Sequence, residues 1–325
     1  MKLSLRTFIR ILALAIPVLA ILLGITLGGP TNLPPMTSIN DPFKSVDFSD
    51  LPPASTFSAA DGQLLAYRQY TPSGAVRGSV TLIHGQSGSG ISMHPLAKAL
   101  AVAGFKVFAI DVRGHGQSGT KGHIDFVGQL ESDLAAFVRA VHPPKPSTLL
   151  GFSTGAGFAL RFAGSEHQTD FGSYLLLSPF LSQDAPNQRS GSGGWVSVGV
   201  PRIIALAVLN GVGISTFNSL PVMSFALNEQ ARSILTTQYD FNLATNFRPE
   251  RDYMANIRRV SQPVRVLAGV ADEVFQTAEL EGIFRAAGKT WEVELLPGIG
   301  HIELTLQPTA IQAIIRNVET LQHAG

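Results

Sequence analysis

From residue 54 onward, short apolar runs alternate with stretches of helical spacing. Runs at 79–83, 106–110, 148–152, 174–177, 264–268 and 291–295 have strand length. Between them, apolar residues fall at helical spacing, as in Leu96 and Leu100, with Val102 beyond, and again in Leu130, Leu134, Phe137 and Val138. A small-residue stretch at 155–163 and a segment from Pro308 onward read as further helices. Two more runs, 56–58 and 64–70, flank the turn signal Asp61-Gly62 and read as a hairpin. Buried strands alternating with helices require a sheet covered on both faces. The expectation is an α/β fold with a mostly parallel eight-stranded sheet, the hairpin adding an antiparallel edge.

Two regions break this rhythm. Residues 180–262 show no βα repeat, only polar and Gly-rich stretches around Ser190 and Gly194 and then an apolar stretch from Trp195 to Leu227. An insertion after a strand's C-terminal end lies where such sheets bind ligands, so it reads as a helical cap. The other region is the N-terminus. Lys2, Arg6 and Arg10 precede an apolar run at 11–27 that only Pro17, Gly24 and Thr26 interrupt. As a helix the run would be about 25 Å long, slightly short of a typical bilayer core but within the spanning range. The basic residues in front predict a cytoplasmic N-terminus, with the bulk of the chain on the non-cytoplasmic side. A cleaved signal, giving a secreted protein, is the alternative. The domain plan is therefore an anchor or signal at 1–28, a Pro-rich linker at 29–53, a first core part at 54–179, the cap at 180–262 and a second core part at 263–325.

Composition narrows the chemistry. The 325 residues are 45% hydrophobic and 14% charged, with a formal charge of +1. Nothing in this balance favours nucleic acid. The absence of cysteine removes disulfides, thiolate metal sites and a cysteine nucleophile. No metal or cofactor is expected.

The candidate chemistry starts at Gly151-Phe152-Ser153-Thr154-Gly155, which follows an apolar run and opens a helix. A serine on so sharp a turn is lifted above the sheet edge, and its flanking glycines avoid clashes. Its hydroxyl needs a base to become a nucleophile. Asp272 and His301 each stand just past a strand, on the same sheet edge and in the order serine, acid, base. Glu273 adjoins Asp272 and is the alternative acid. His84, His115 and His123 precede the serine, and Asp111 reads as an anchor for the Gly-rich loop after it. The developing oxyanion needs preorganised donors. The backbone N–H groups of Thr154 and of Gln86, in the loop 84–90, are the candidates. The lysine of a phosphate-binding loop does not follow this loop, where Ile91 stands in its place.

Several stretches together resemble the monoacylglycerol lipase, lysophospholipase and serine aminopeptidase S33 branch of the α/β-hydrolases. They are Leu82-Ile83-His84-Gly85, Ala103-Gly104-Phe105-Lys106-Val107, Asp111-Val112-Arg113-Gly114-His115-Gly116-Gln117-Ser118-Gly119 and the serine elbow. Residues 269–274 and 298–301 resemble that branch's acid and base loops. The resemblance implies an α/β-hydrolase fold and ester hydrolysis without metal or cofactor, often on acyl-glycerol or lysophospholipid substrates. Two positions depart from the branch. Ser87-Gly88-Ser89-Gly90 stands where its lipases often carry a Glu-His pair, and Phe152-Ser153-Thr154-Gly155-Ala156 replaces a His-Ser-Met-Gly-Gly elbow. The expected function is a membrane-tethered serine hydrolase acting on a small, lipid-like ester, favoured by the apolar cap. An amidase, peptidase or thioesterase using the same triad is the alternative, as is a non-catalytic binding protein.

Overall fold

A computed structural model of the chain describes residues 5–190 and 194–323. Eleven strands occur among them: β1 (Ala54–Ser58), β2 (Leu64–Tyr70), β3 (Ser79–Ile83), β4 (Lys106–Ile110), β5 (Ser147–Phe152), β6 (Ser173–Leu177), β7 (Val196–Val198), β8 (Pro221–Phe225), β9 (Gln238–Asp240), β10 (Val264–Gly269) and β11 (Glu292–Leu296). The α-helices are α1 (Leu5–Leu27), α2 (Thr37–Asn40), α3 (His94–Val102), α4 (Gln129–Val141), α5 (Thr154–Ala163), α6 (Val200–Gly211), α7 (Glu229–Ile234), α8 (Phe241–Asn246), α9 (Tyr253–Arg259), α10 (Leu280–Ala286) and α11 (Pro308–His323).

Eight strands form one sheet in the order β1-β2-β4-β3-β5-β6-β10-β11. The pairs from β4 through β11 are parallel, while β1–β2 and β2–β4 are antiparallel. Every residue of β3, β5 and β6 is buried, which is why these strands read as continuous apolar runs rather than as alternation. The sequence expectation of an eight-stranded α/β-hydrolase sheet holds.

Arg113 ties the hairpin to the core. Its guanidinium donates to both Asp133 carboxylate oxygens on α4, at 2.7 and 2.8 Å, and to Asp61 in the β1–β2 turn at 2.8 and 3.1 Å. This planar fork explains why a buried arginine is tolerated beside the sheet.

The insertion is helical, with α6 to α9, and it also carries a three-stranded sheet in the order β7-β8-β9. Its strands have only three to five residues and no clean alternation, so periodicity did not reveal them. Residues 191–193 of the Gly-rich stretch lie outside the described residues.

The N-terminal segments differ from a free tether. Residues 29–53 are fastened along the molecule. Thr31 N–H donates to Ser197 Oγ at 2.9 Å, and Ser224 Oγ donates to Thr31 O at 2.6 Å. Met36 N–H donates to Ala226 O at 2.9 Å, and Asp50 pairs with His94 and Lys98. Polar side chains in a Pro-rich stretch thus find tertiary partners that local sequence does not announce.

Helix α1 packs on α6 at a small-residue contact. A Cβ on Gly24 would stand 2.9 Å from Ala205 Cβ and from Pro201 O. Arg202 donates from its backbone to Gly28 O (3.2 Å) and from Nε to Ile25 O (2.8 Å), satisfying carbonyls at the helix end. Leu22, Leu23 and Leu27 of α1 and Ile204 and Val208 of α6 remain exposed. Among the described residues, no helix is long and apolar enough to cross a membrane. Lys2 lies outside those residues.

Candidate active site

Ser153 sits between β5 and α5 with φ +56° and ψ −120°, a conformation that costs a non-glycine residue about 1–3 kcal/mol. Its surroundings enforce it. Ser153 N–H donates to Leu177 O at 2.8 Å, and its carbonyl accepts from Phe180 N–H at 3.1 Å. The neighbouring glycines are required by space. A Cβ on Gly151 would lie 2.3 Å from Gly155 O, and one on Gly155 would lie 2.2 Å from His84 O. Helix, strand and oxyanion loop therefore meet closer than any side chain permits.

Asp272 and His301 come from the loops after β10 and β11. The two strands run parallel to β5 in the same sheet, so both loops open on the edge that carries Ser153. Ser153 Oγ lies 3.0 Å from His301 Nε2, and His301 Nδ1 lies 2.8 Å from Asp272 Oδ2. All three are buried, at 7%, 4% and 1% exposure. With Asp272 ionised, Nδ1 carries the imidazole proton and donates it. Nε2 is then the acceptor for the Ser153 hydroxyl. Phe152 and Phe275 flank the imidazole ring, with centroids 4.9 and 5.2 Å away.

Asp272 is held as an anion. Burial alone would raise its carboxyl. The charge and hydrogen bond of His301 and the N–H groups of Phe275 and Val274 outweigh that burial and hold it below the ordinary carboxylate value. Both N–H groups donate to Oδ1 at 2.8 Å. From the start of the cap, Arg189 Nη2 donates to Asp272 O at 3.1 Å and fixes the same loop. Glu273, the alternative acid, does not face the imidazole. Its Oε2 accepts the backbone N–H of His301 at 2.9 Å, so it positions the base loop.

Gln86 and Thr154 line the space beside Ser153, a cavity of about 70 Å³. The Gln86 side chain points to the cap, with Nε2 3.6 Å from Met223 Sδ. His84 and His115 serve the loops rather than the reaction. His84 donates from Nδ1 to Gly85 O (2.8 Å) and accepts Val112 N–H at Nε2 (3.3 Å). Its burial holds its pKa below the ordinary histidine value, and burial together with the neighbouring His84 places His115 well below it. Both rings are therefore neutral near pH 7. Asp111 accepts Gly90 N–H and Gln117 N–H, at 2.7 and 2.9 Å, and anchors both loops.

One residue had no signal in the sequence. Tyr239 of β9 reaches from the cap into the core. Its hydroxyl accepts Ser87 N–H at 2.7 Å and lies 2.5 Å from His115 Nε2. His115 Nδ1 faces two carbonyls, so it carries the ring proton. Nε2 then accepts from the tyrosine. A cap strand thus pins the loop that holds Gln86. A lone tyrosine in a short, irregular stretch offers no pattern by which this contact could be found.

A mostly parallel eight-stranded sheet with a Ser-His-Asp chain at its C-terminal edge defines an α/β-hydrolase. The family described as "Serine aminopeptidase, S33" matches residues 74–305, and the chain belongs to it. It is 30% identical over 131 residues to a monoacylglycerol lipase of Mycolicibacterium smegmatis, covering 39% of this chain and 46% of that protein. It is 32% identical over 142 residues to the monoglyceride lipase of Rattus norvegicus, with 42% and 46% covered. The chain thus spans a little under half the length of these curated relatives. A soluble variant of the Saccharomyces cerevisiae monoglyceride lipase, solved with a substrate analog, superposes with a TM-score of 0.63 at 18% identity. That match covers 85% of this chain and 96% of the other, and shows the shared fold.

The lowered Asp272 pKa links folding to pH. Its contribution to stability is fully present above the unfolded value of about 3.9 and is lost as pH falls through the lower folded value. Denaturant unfolding between pH 7 and pH 3 should therefore show a smaller acid loss of stability in Asp272→Ala than in the parent. Equal losses in the two proteins would remove this linkage.

Proposed function

We propose that the chain is a serine hydrolase that cleaves carboxylic esters with lipid-like acyl groups. The observation carrying this reading is the continuous hydrogen-bonded chain from Ser153 through His301 to Asp272. Ser153 Oγ attacks the ester carbonyl while His301 Nε2 takes its proton, and Asp272 holds the imidazole orientation and stabilises the imidazolium. The negative charge then on the carbonyl oxygen is met by the N–H groups of Gln86 and Thr154. His301 returns the proton to the departing alkoxide. Water, deprotonated by the same base, releases the acyl group from Ser153.

The family description also names aminopeptidases. A free α-amine needs a carboxylate partner in the substrate space. Among the described residues, neither Asp nor Glu lines the cavity at Ser153 or the larger one beside it. Their linings are dominated by aliphatic and aromatic side chains, which favours an acyl ester over an aminoacyl amide. The similarity to monoacylglycerol lipases supports the same choice.

The reading includes attachment to a membrane through the N-terminal helix, with the catalytic part on the non-cytoplasmic side. The basic residues before the apolar run support it, as do the exposed aliphatic residues that α1 and α6 present side by side. Cell fractionation tests it. The full chain should sediment with membranes and resist a carbonate wash, and deletion of residues 1–30 should release it. Full-length protein found wholly in the soluble fraction would sink the attachment.

The chemistry has two further tests. Ser153→Ala should lose p-nitrophenyl ester hydrolysis and fluorophosphonate labelling while its circular dichroism stays native. Retained turnover in a pure sample would overturn the serine's role. Tyr239→Phe removes the hydroxyl that pins Ser87, so the oxyanion loop loses preorganisation. Full loss of one such donor costs about 100- to 1,000-fold. The indirect effect of Tyr239→Phe should be near tenfold in kcat with KM little changed. A rise in KM alone would place the residue in substrate binding instead.

A further inference from the structure

Beside the small space at Ser153 lies a cavity of about 420 Å³, within the range of roughly 300–1,000 Å³ typical of small-molecule pockets. The two spaces share Ile39, Gly85, Gln86, Phe152, Trp195 and Ile302. The cavity thus adjoins the site. Its outer wall does not come from the hydrolase core. Ile39, Phe43, Phe48 and Leu51 belong to the stretch between α1 and β1, and Ala231 and Ile234 face them from α7 of the cap. The part of this wall contributed by Ile39, Phe43, Phe48 and Leu51 precedes residue 74, where the match to the family begins. It is held in place at both ends, by Met36 on Ala226 and by Asp50 on His94 and Lys98.

We propose that residues 36–51 form the acyl-selectivity wall of the enzyme. The acyl chain of an ester attacked by Ser153 lies along this wall, with Ile39 at the junction between the two spaces. This rests on the hydrolase reading above and adds the element that sets chain length. Ile39 is buried and borders both cavities, so side-chain bulk there obstructs passage from one to the other. Phe43 stands in the larger cavity only, so its removal lengthens the space without touching the reacting atoms. Apart from Lys44, the side chains that this wall turns to the cavity are aromatic and aliphatic, which favour the burial of each added methylene. Chain-length preference follows from the depth they leave. Because the wall continues from α1, whose last turn is clasped by Arg202 of the cap, the selectivity element and the proposed membrane attachment are one continuous piece of chain.

The test uses alkyl fluorophosphonates with chains of two to twelve carbons on the full-length protein in detergent. Labelling of Ser153 needs no choice between ester and amide. The readout is the ratio of the labelling rate for the longest chain to that for the shortest. Because it is a ratio within one sample, it is independent of the folded fraction. The parent should favour long chains. Ile39→Trp should lower the ratio at least tenfold, and Phe43→Ala should raise it or shift its maximum to longer chains. Unchanged ratios in both variants, with Ser153 still labelled, overturn the wall and leave the hydrolase reading intact. No labelling of the parent by any probe overturns the hydrolase reading, and the inference with it.

Discussion

The turn at Ser153 is the constraint on which the rest of the molecule depends. A non-glycine residue held at φ +56° is unfavourable by about 1–3 kcal/mol, so the fold must over-determine it. Strand β6 supplies one clamp through Leu177 O, and the segment after it supplies another through Phe180 N–H. Each such bond contributes about 1 kcal/mol net, so two of them offset the strain. The close approach of β5, α5 and the loop after β3 is possible only because Gly151 and Gly155 carry no side chain. Strain, close packing and chemistry are one feature here.

The fold was legible where local pattern and tertiary role coincide. A buried parallel strand is an apolar run, and a catalytic loop in this architecture begins where such a run ends. Ser153, Asp272 and His301 could therefore be placed from strand ends alone, and the structure brings them within hydrogen-bonding distance. Glu273 shows the limit. It adjoins Asp272 in sequence, but the turn sends its carboxylate to the backbone of His301 rather than to the ring. Spacing identified two adjacent carboxylates. Only the turn geometry assigns one to the imidazole and the other to the loop.

Contacts between the cap and the core were not legible, and the reason is physical. Tyr239 pins Ser87 across 152 residues of chain, and Arg189 reaches Asp272 across 83. Such pairs leave no periodicity in either segment. The small sheet of β7, β8 and β9 is hidden because its strands, of three to five residues, show no clean period of two. The stretch 29–53 shows the complementary failure. Proline and polar residues read as a tether, because composition records the inability to form helix or strand. It does not record hydrogen bonds to a distant surface.

These long-range contacts change how the site should be understood. Ser153, Asp272 and His301 stand on loops at one edge of the sheet. Two separate parts of the sequence are laid over that edge. The cap reaches down through Tyr239 to hold the oxyanion loop, and it reaches sideways through Arg202, Ser197 and Ser224 to hold α1 and the segment that follows. The cap is thus bonded both to the reaction centre and to the wall of the larger cavity. A shift of the cap that opened this wall would also loosen Ser87, because β8 and β9 are adjacent strands of one sheet. The two contacts are therefore linked mechanically through that small sheet.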